Sequence, residues 1–314
     1  GRGRSLAAGF FSKGTHEVVD SPFCDTLAGP INEVKEWIRG LLVKHHVSIY
    51  DETRHLGFLR GLVVRHAEQT GQTLVGLVTM RGVFKKRFLP DLTQARELKR
   101  FGIVGILQNF NSQKTNVLLG PKSRPLWGRD YLVEELDGLK FRVSLGSFFQ
   151  VNAAQAKNLY AIIEDWTKGD GGLVVDAYCG SGGISLWLAR AGRRVLGIDE
   201  CAPAVADARS SAEWNGLAGC RFLAGTLETR LKDLEAEPAI DTLIVDPPRK
   251  GLSAEVIAAI PRLRPGKLVY VSCNPATLAR DLAQLPGYAI RDLRVVDMFP
   301  QTQHVETAAL LERC

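Results

Sequence analysis

The sequence predicts a doubly wound, mostly parallel α/β domain over residues 141–314, preceded by a smaller α+β domain over residues 1–140. Three observations predict this. From about residue 150, apolar strand-like runs alternate with helix-like runs at the spacing of repeated strand–helix–strand units, the texture of a parallel sheet covered on both faces. Before that point, strand-like runs follow one another with only two helical stretches among them. Charge divides the chain in the same way: residues 1–140 carry 21 Lys/Arg against 14 Asp/Glu, and residues 141–314 carry 19 against 20. A length of 314 residues, 45% hydrophobic and 24% charged, is that of a folded globular chain, and two domains follow at about 150 residues each.

In the first domain, residues 6–20 read as a hairpin turning at Lys13-Gly14. Ile31, Val34, Trp37, Ile38, Leu41 and Leu42 then share one face at the 3.6-residue period, which predicts a helix from Ile31 to Val43. Val47–Tyr50, Leu56–His66 and Thr73–Thr79 read as strands, punctuated by Gly57, Gly61 and Gly71. Leu89–Arg100 reads as a helix and Val104–Phe110 as a strand. Residues 116–145 hold three short strands, broken at Gly120-Pro121, Gly128 and Asp137-Gly138.

In the second domain the predicted helices are Ala153–Trp166, Ile184–Ala191, Ala202–Trp214, Leu227–Leu234, Ala254–Ile260 and Pro275–Leu282. The strands are Leu173–Ala177, Arg194–Ile198, Cys220–Ala224, Thr242–Val245, Lys267–Val271, Ile290–Asp297 and Glu306–Glu312. In such a fold, ligands lie at the carboxyl ends of the strands.

Several classes of function drop out. No window approaches 18 consecutive apolar residues, so no membrane span is expected. Gly1-Arg2-Gly3-Arg4-Ser5 does not read as a secretory signal. The six cysteines, at 24, 179, 201, 220, 273 and 314, are irregularly spaced with no CxxC pair. That fits a reducing, cytoplasmic setting and no structural zinc site. The basic first domain suits a polyanion, although a solvated surface with a mild Lys/Arg bias reads the same way.

The chemistry gathers at strand ends. The first strand of the second domain runs into Asp176-Ala-Tyr178-Cys-Gly180-Ser-Gly182-Gly183 and then a helix, a turn that lets a ligand approach backbone amides. The next strand ends in Asp199, 23 residues after Asp176 (199 − 176), where a carboxylate can take the two ribose hydroxyls of an adenosine. The third glycine of a nicotinamide fingerprint is missing, which favours S-adenosylmethionine over NAD. The plainer reading makes Asp176 a helix-capping carboxylate. Asp246-Pro247-Pro248-Arg249 is a rigid turn that can present a carboxylate to a base or a methyl donor; the plainer reading is a loop that merely stops a strand. Cys273 lies between a strand end and a helix N-terminus, whose positive field favours the thiolate and makes it a candidate nucleophile. A lone cysteine there is usually only packing, but its place on the edge shared with Asp176, Asp199 and Asp246 favours the catalytic reading. Glu306 opens the last strand, as a base or as a strand cap.

Together these residues resemble the RNA 5-methyluridine methyltransferases, most closely the bacterial 23S rRNA (uracil-C5) type. The resemblance rests on Ser147-Phe-Phe-Gln150-Val-Asn152, Asp176–Gly183, Gly197-Ile-Asp199, Asp246–Gly251, Ser272–Asp281 and Asp297–Glu306, in family order and spacing from about Leu6 to the end. It implies a Rossmann-like methyltransferase domain behind an RNA-binding one. It implies that S-adenosylmethionine is held by Gln150, Asp176, Tyr178, Gly180, Asp199 and Asp246, that Cys273 is the nucleophile and that Glu306 is the base. Phe148 and Arg249 would meet the target uridine, and Lys85, Lys86 and Arg87 the RNA phosphates. It implies 5-methyluridine formation in rRNA processing by a cytoplasmic monomer with 23S rRNA as partner; tRNA is the alternative target. Family members usually begin with a small RNA-binding barrel and three cluster-binding cysteines, for which the sequence shows no counterpart. Cys24 matches the fourth iron–sulfur ligand alone, and one thiolate cannot hold a four-cysteine cluster, so no cluster and no metal are expected.

Rival readings remain. A cytosine-5 methyltransferase would carry a thiol in the Asp246-Pro-Pro-Arg motif, where there is none. An amino-group methyltransferase has no need of Cys273 or Glu306. A non-catalytic RNA-binding module on the same fold has no need of that pair either.

Overall fold

The computed structural model describes residues 6–314 except Lys13, His16, Asp170 and Pro238. Gly1–Ser5 and the expected turn residue Lys13 therefore lie outside the described residues. The chain divides into two compact units, 1–134 and 135–314. The division thus falls at Glu134/Glu135 rather than at residue 140.

In the first unit, β1 (Gly9–Phe11) and β2 (Val18–Asp20) pair antiparallel with Gly9 opposite Asp20, the expected hairpin. α1 (Gly29–Lys44) opens on Pro30, whose missing N–H is harmless in a first turn, and buries Val34, Ile38 and Leu42 along one stripe. β3 (Leu59–Ala67) and β4 (Gln72–Thr79) follow, then α2 (Phe88–Thr93), α3 (Glu97–Arg100), β5 (Ile103–Phe110) and β6 (Lys122–Gly128). The four strands form one sheet in the order β3-β4-β5-β6, with β4 and β5 parallel and the other pairs antiparallel. Phe84, Phe88 and Leu92 join the α1 stripe in its core.

Two expectations are corrected here. Val47–Tyr50 forms only an isolated bridge from Ile49 to Leu59. The single helix expected over Leu89–Arg100 is two: the chain leaves helical geometry at Gln94, whose φ is −113° and whose amide closes the last turn on the Pro90 carbonyl, while Thr93 donates its hydroxyl to the Leu89 carbonyl at 2.8 Å.

β7 (Tyr131–Leu136) carries the chain across the division into β8 (Leu139–Ser144) and α4 (Ala153–Trp166). Then follow β9 (Leu173–Ala177), α5 (Gly183–Arg190), β10 (Arg194–Asp199), α6 (Ala202–Trp214), β11 (Cys220–Ala224), α7 (Leu227–Glu235), β12 (Ile240–Val245), α8 (Ala254–Leu263), β13 (Lys267–Ser272), α9 (Pro275–Leu282), β14 (Tyr288–Val296) and β15 (Glu306–Arg313). Seven strands make one sheet in the order β11-β10-β9-β12-β13-β15-β14. The first five are parallel, and β15 runs antiparallel to both β13 and β14. The order reverses at β9, with β10 on one side and β12 on the other, which opens a crevice above the carboxyl ends of these strands. β9 is buried along its whole length, as a central parallel strand must be, and so reads as a continuous apolar run ending in Asp176. Among the described residues, no helix is long and apolar enough to cross a membrane.

Candidate functional site

The turn from β9 into α5 uses positive backbone angles that glycine adopts freely: Gly180 at φ +54° and Gly182 at φ +87°. Tyr178 takes φ +84° without being glycine, a strained conformation of the kind that collects at functional sites. Its amide and that of Cys179 both donate to the Ile198 carbonyl, at 2.8 and 2.9 Å, which ties the turn to the end of β10. Asp199 completes the tie, accepting the Gly180 amide at 2.9 Å and the Cys201 amide at 2.8 Å. Each of its oxygens keeps a lone pair for a further donor.

Asp176 is fully buried. One carboxyl oxygen accepts the Ser185 hydroxyl at 2.6 Å and the other has no partner. Burial pushes its pKa up to about 7, against the Ser185 bond, and nearby Asp199 adds to the rise. Ser185 lies in the first turn of α5, so Asp176 is bonded to the start of that helix while its second oxygen stays open; the cap residue itself, Gly182, makes no side-chain cap bond. An orphaned buried acid beside a turn of small residues is what a cationic, adenosine-bearing ligand would complete, so these residues fit S-adenosylmethionine.

Phe148 and Gln150 lie in the loop between β8 and α4; Phe148 is 61% exposed and Gln150 partly buried. The loop is held from three sides. Ser181 Oγ donates to the Phe148 carbonyl at 2.6 Å. Asn152 caps α4 and donates its amide to the Met298 carbonyl at 3.3 Å. Beneath it, buried Asp207 of α6 accepts Arg142 Nε, the Ser144 amide, Ser144 Oγ and Ser147 Oγ at 2.6–2.8 Å.

Asp246 follows β12 directly and is partly buried. Burial lifts its pKa well above the carboxylate range, and Glu306 and Asp176 add to the effect. The loop after it is tied to the Cys273 segment. Asn274 Nδ2 donates to the Arg249 carbonyl at 3.2 Å, Arg280 donates to the Lys250 carbonyl at 2.8 Å, and fully buried Asp281 accepts the Leu252 amide at 2.8 Å and Tyr270 Oη at 2.7 Å.

Cys273 sits one step past β13, and Glu306 one step before Thr307, the partner of Ser272 in the antiparallel register. The register therefore brings the thiol and the buried carboxyl to one place. Burial raises the Glu306 pKa to about 7. The expectation of a thiolate favoured by the helix terminus is corrected. The Cys273 pKa is raised, by burial first, then by Glu306 and Asp246, and the exposed guanidinium of Arg249 only partly opposes them. The amide of Ala276, which could have supplied the helix field, already donates to the Asn274 cap. Arg249 also reaches His304 Nε2 at 3.2 Å.

Lys85, Lys86 and Arg87 belong to the first unit and are all exposed. Buried Phe84 and Phe88 flank them, stacked at 4.5 Å, and buried Gln108 holds the Gly82 carbonyl at 3.1 Å, so the segment projects its three cations outward. Among the described residues no carboxylate pairs with them, whereas Arg96 pairs with Glu97 and Arg100 with Glu33. Cys24 is partly buried and its thiol lies 3.1 Å from the Thr26 hydroxyl. Among the described residues no group of three or more His, Cys, Asp or Glu side chains is placed to hold a metal ion, so the surroundings of Cys24 do not fit an iron–sulfur cluster.

The sequence reading missed Asp207, Asp281 and Tyr160. Asp207 shares the helix face of Ala204, Val205, Ala208 and Ser211, and Asp281 that of Leu278, so an acid on an apolar stripe was the available signal. Tyr160 is buried against Gly183, where an added Cβ would stand 2.3 Å from its hydroxyl. Only the packing of α4 on α5 shows this.

Residues 106–314 match the model of the tRNA (uracil-5-)-methyltransferase family. Uncharacterized RNA methyltransferases of Gloeobacter violaceus and Clostridium tetani are each 41% identical to this chain, over 97% and 96% of it and 66% of their own length. The chain thus spans just under two thirds of these curated relatives. A Pyrococcus abyssi tRNA (uracil-54, C5)-methyltransferase, solved with S-adenosyl-L-homocysteine, superposes with a TM-score of 0.78 at 31% identity, over 94% of this chain and 70% of that one. The matched region includes every strand of the seven-stranded sheet and all the residues gathered at its carboxyl edge, and on that ground the chain belongs to the tRNA (uracil-5-)-methyltransferase family.

Proposed function

We propose that this chain transfers a methyl group from S-adenosylmethionine to carbon 5 of a uridine in RNA through a covalent bond between Cys273 and carbon 6 of the base. The observation that carries the reading is the register placing Cys273 beside Glu306, next to Asp246, at the carboxyl edge of a family sheet. Asp199 would take the ribose, and the Tyr178–Gly183 turn and Gln150 would enclose the rest of the cofactor. When bound, S-adenosylmethionine supplies an electrophilic methyl on a positively charged sulfur.

Carbon 5 of uracil is a weak nucleophile. Cys273 must first give up its thiol proton, whose loss Arg249 favours. Bond formation between Sγ and carbon 6 then pushes the carbon 5–carbon 6 pair onto carbon 5, which would take the methyl group as the methyl–sulfur bond breaks and leaves its pair on sulfur as a neutral thioether. Glu306 accepts the carbon 5 proton, the pair left behind restores the double bond, and Cys273 departs as thiolate. A carboxyl with pKa near 7 is well matched to this exchange at neutral pH. The base must leave its stack to meet both groups, and exposed Phe148 would stack on it. Arg249 would hold the uridine as well as favour the thiolate. Lys85, Lys86 and Arg87 would bind phosphates.

The sequence motifs favour 23S rRNA as the target. A second reading, tRNA, is favoured by the tRNA substrate printed for the Pyrococcus abyssi relative. The cytoplasm, where thiols stay reduced, suits six free cysteines. Incubating the chain with labelled S-adenosylmethionine and either RNA, followed by mass spectrometry of the digested nucleosides, tests the proposal. Labelled 5-methyluridine is expected, and labelled 5-methylcytidine or an amino-methylated base overturns it.

A further inference from the structure

The buried and partly buried acids around the site in the second unit fall into two kinds. Asp207 accepts four hydrogen bonds, and Asp281 accepts from Leu252, Tyr270 and Arg280. These two are satisfied by the protein and hold loops in place. Asp176, Asp246 and Glu306 are different. Among the described residues none of them pairs with a lysine or arginine, and one oxygen of fully buried Asp176 has no partner at all. They end or open three strands close together in one sheet, β9, β12 and β15, and Asp246 lies near enough to both of the others for its ionisation to be opposed by them.

The groups facing this trio do not supply the missing charge. They are Tyr160 from α4, Asp199 from β10, Cys179 at the turn, Cys220 from β11, Cys273 beyond β13 and Arg249 in the loop after Asp246. Among these described groups Arg249 is the one cation; it is exposed and engages His304. Burying an acid without a cation is costly, and the acid answers by keeping its proton.

We propose that Asp176, Asp246 and Glu306 together read the charge of the cofactor, binding the sulfonium form with release of protons and the neutral thioether product with those protons retained. The inference rests on the S-adenosylmethionine reading above. It gives the site a direction. S-adenosylmethionine carries one more positive charge than S-adenosylhomocysteine, so the donor ionises the trio and leaves Glu306 ready to accept a proton. Once the methyl group has gone, the positive charge has gone too, and Glu306 becomes more basic at the step where it must take the carbon 5 proton. The proton it gains offsets the charge that was lost.

Isothermal titration of the chain with S-adenosylmethionine and with S-adenosylhomocysteine, each in phosphate and in Tris at pH 6.5, counts the protons directly from the dependence of heat on buffer. More protons should be released with S-adenosylmethionine than with S-adenosylhomocysteine. The preference for S-adenosylmethionine should grow about tenfold between pH 6 and pH 8, the change that one linked proton titrating near 7 produces. An analogue with an amine in place of the sulfonium should behave as the donor does, which separates charge from the bulk of the methyl group. Glu306→Gln and Asp246→Asn should each shrink the pH dependence. Equal proton counts for the two ligands, with a flat preference across pH, overturn this inference and leave the methyltransferase reading intact. If neither ligand binds, the cofactor reading itself fails and the inference fails with it.

Discussion

Asp207 accepts the hydroxyl of Ser147 at 2.6 Å, joining the helix that follows Asp199 to the loop that carries Phe148 and Gln150. One buried carboxylate thus sets the position of two segments proposed to hold the cofactor. Asp207→Ala removes the carboxylate that accepts from Arg142, Ser144 and Ser147 and should cost about 3–5 kcal/mol of stability, as removal of one side of a buried charged network does. Asp207→Asn keeps the shape but turns a donor toward donors. At a temperature where it is fully folded, it should still bind S-adenosylmethionine more weakly than the parent. Thermal melting and calorimetric titration check the two parts separately, and unchanged affinity in folded Asp207→Asn would show the residue to be structural only.

Cys273 and Glu306 should fail in different ways. Cys273→Ser should form no covalent RNA adduct and no 5-methyluridine. Glu306→Gln retains the nucleophile but cannot take the proton, so the methylated adduct should accumulate as a slow protein–RNA band on a denaturing gel. The double substitution should abolish that band. Normal turnover by Cys273→Ser would point instead to a direct-transfer enzyme.

Asp199 holds the glycine turn through Gly180 and the start of α6 through Cys201. Asp199→Ala should weaken S-adenosylmethionine binding by about 1–3 kcal/mol, the range for a charge-assisted hydrogen bond. Calorimetry reads this directly, and an affinity equal to the parent's would remove Asp199 from the ribose.

The cofactor-free chain should lose stability as pH rises from about 4 to about 7 through Asp176. Its carboxyl keeps a proton to about 7 when folded and gives it up near 3.8 when unfolded. Across that window the folded state binds more protons, so stability falls with rising pH. The full effect is on the order of 4 kcal/mol, from about three pKa units in a fully buried group. Asp176→Asn does not titrate. Its stability relative to the parent should therefore climb between pH 4.5 and pH 8, as read by urea midpoints, and a constant difference would mean that the acid ionises normally.

Lys85, Lys86 and Arg87 project together from a segment anchored by Phe84, Phe88 and Gln108. Replacing all three with Gln should weaken RNA binding and flatten its salt dependence by about one unit of slope per lost phosphate contact. Filter binding at several salt concentrations measures the slope, and an unchanged slope would mark the cluster as a solvated face.

The sequence by itself determined the order of strands and helices in the second unit, because strand and helix periods differ and each turn there is marked by glycine, proline or a capping residue. It also determined which residues stand at the carboxyl ends: Asp176, Asp199, Asp246 and Cys273 each follow an apolar run directly. It was weaker in the first unit. There Val47–Tyr50 has strand composition but pairs at a single bridge, and one helical period over 89–100 hid a break at Gln94, where the backbone leaves helical geometry. Ionisation was decided only by the tertiary structure. A helix terminus beside Cys273 is visible in sequence, but the burial of the thiol and the approach of Glu306 and Asp246 come from strands more than 25 residues away, and they outweigh it. The same holds for Asp176 and Asp207. Both are acids within apolar patterns, and only packing shows that one is met by four donors while the other keeps an oxygen with no partner. Local pattern specifies where a side chain lies along the chain; its protonation depends on every charge and dipole the fold brings near it, and on the water the fold removes.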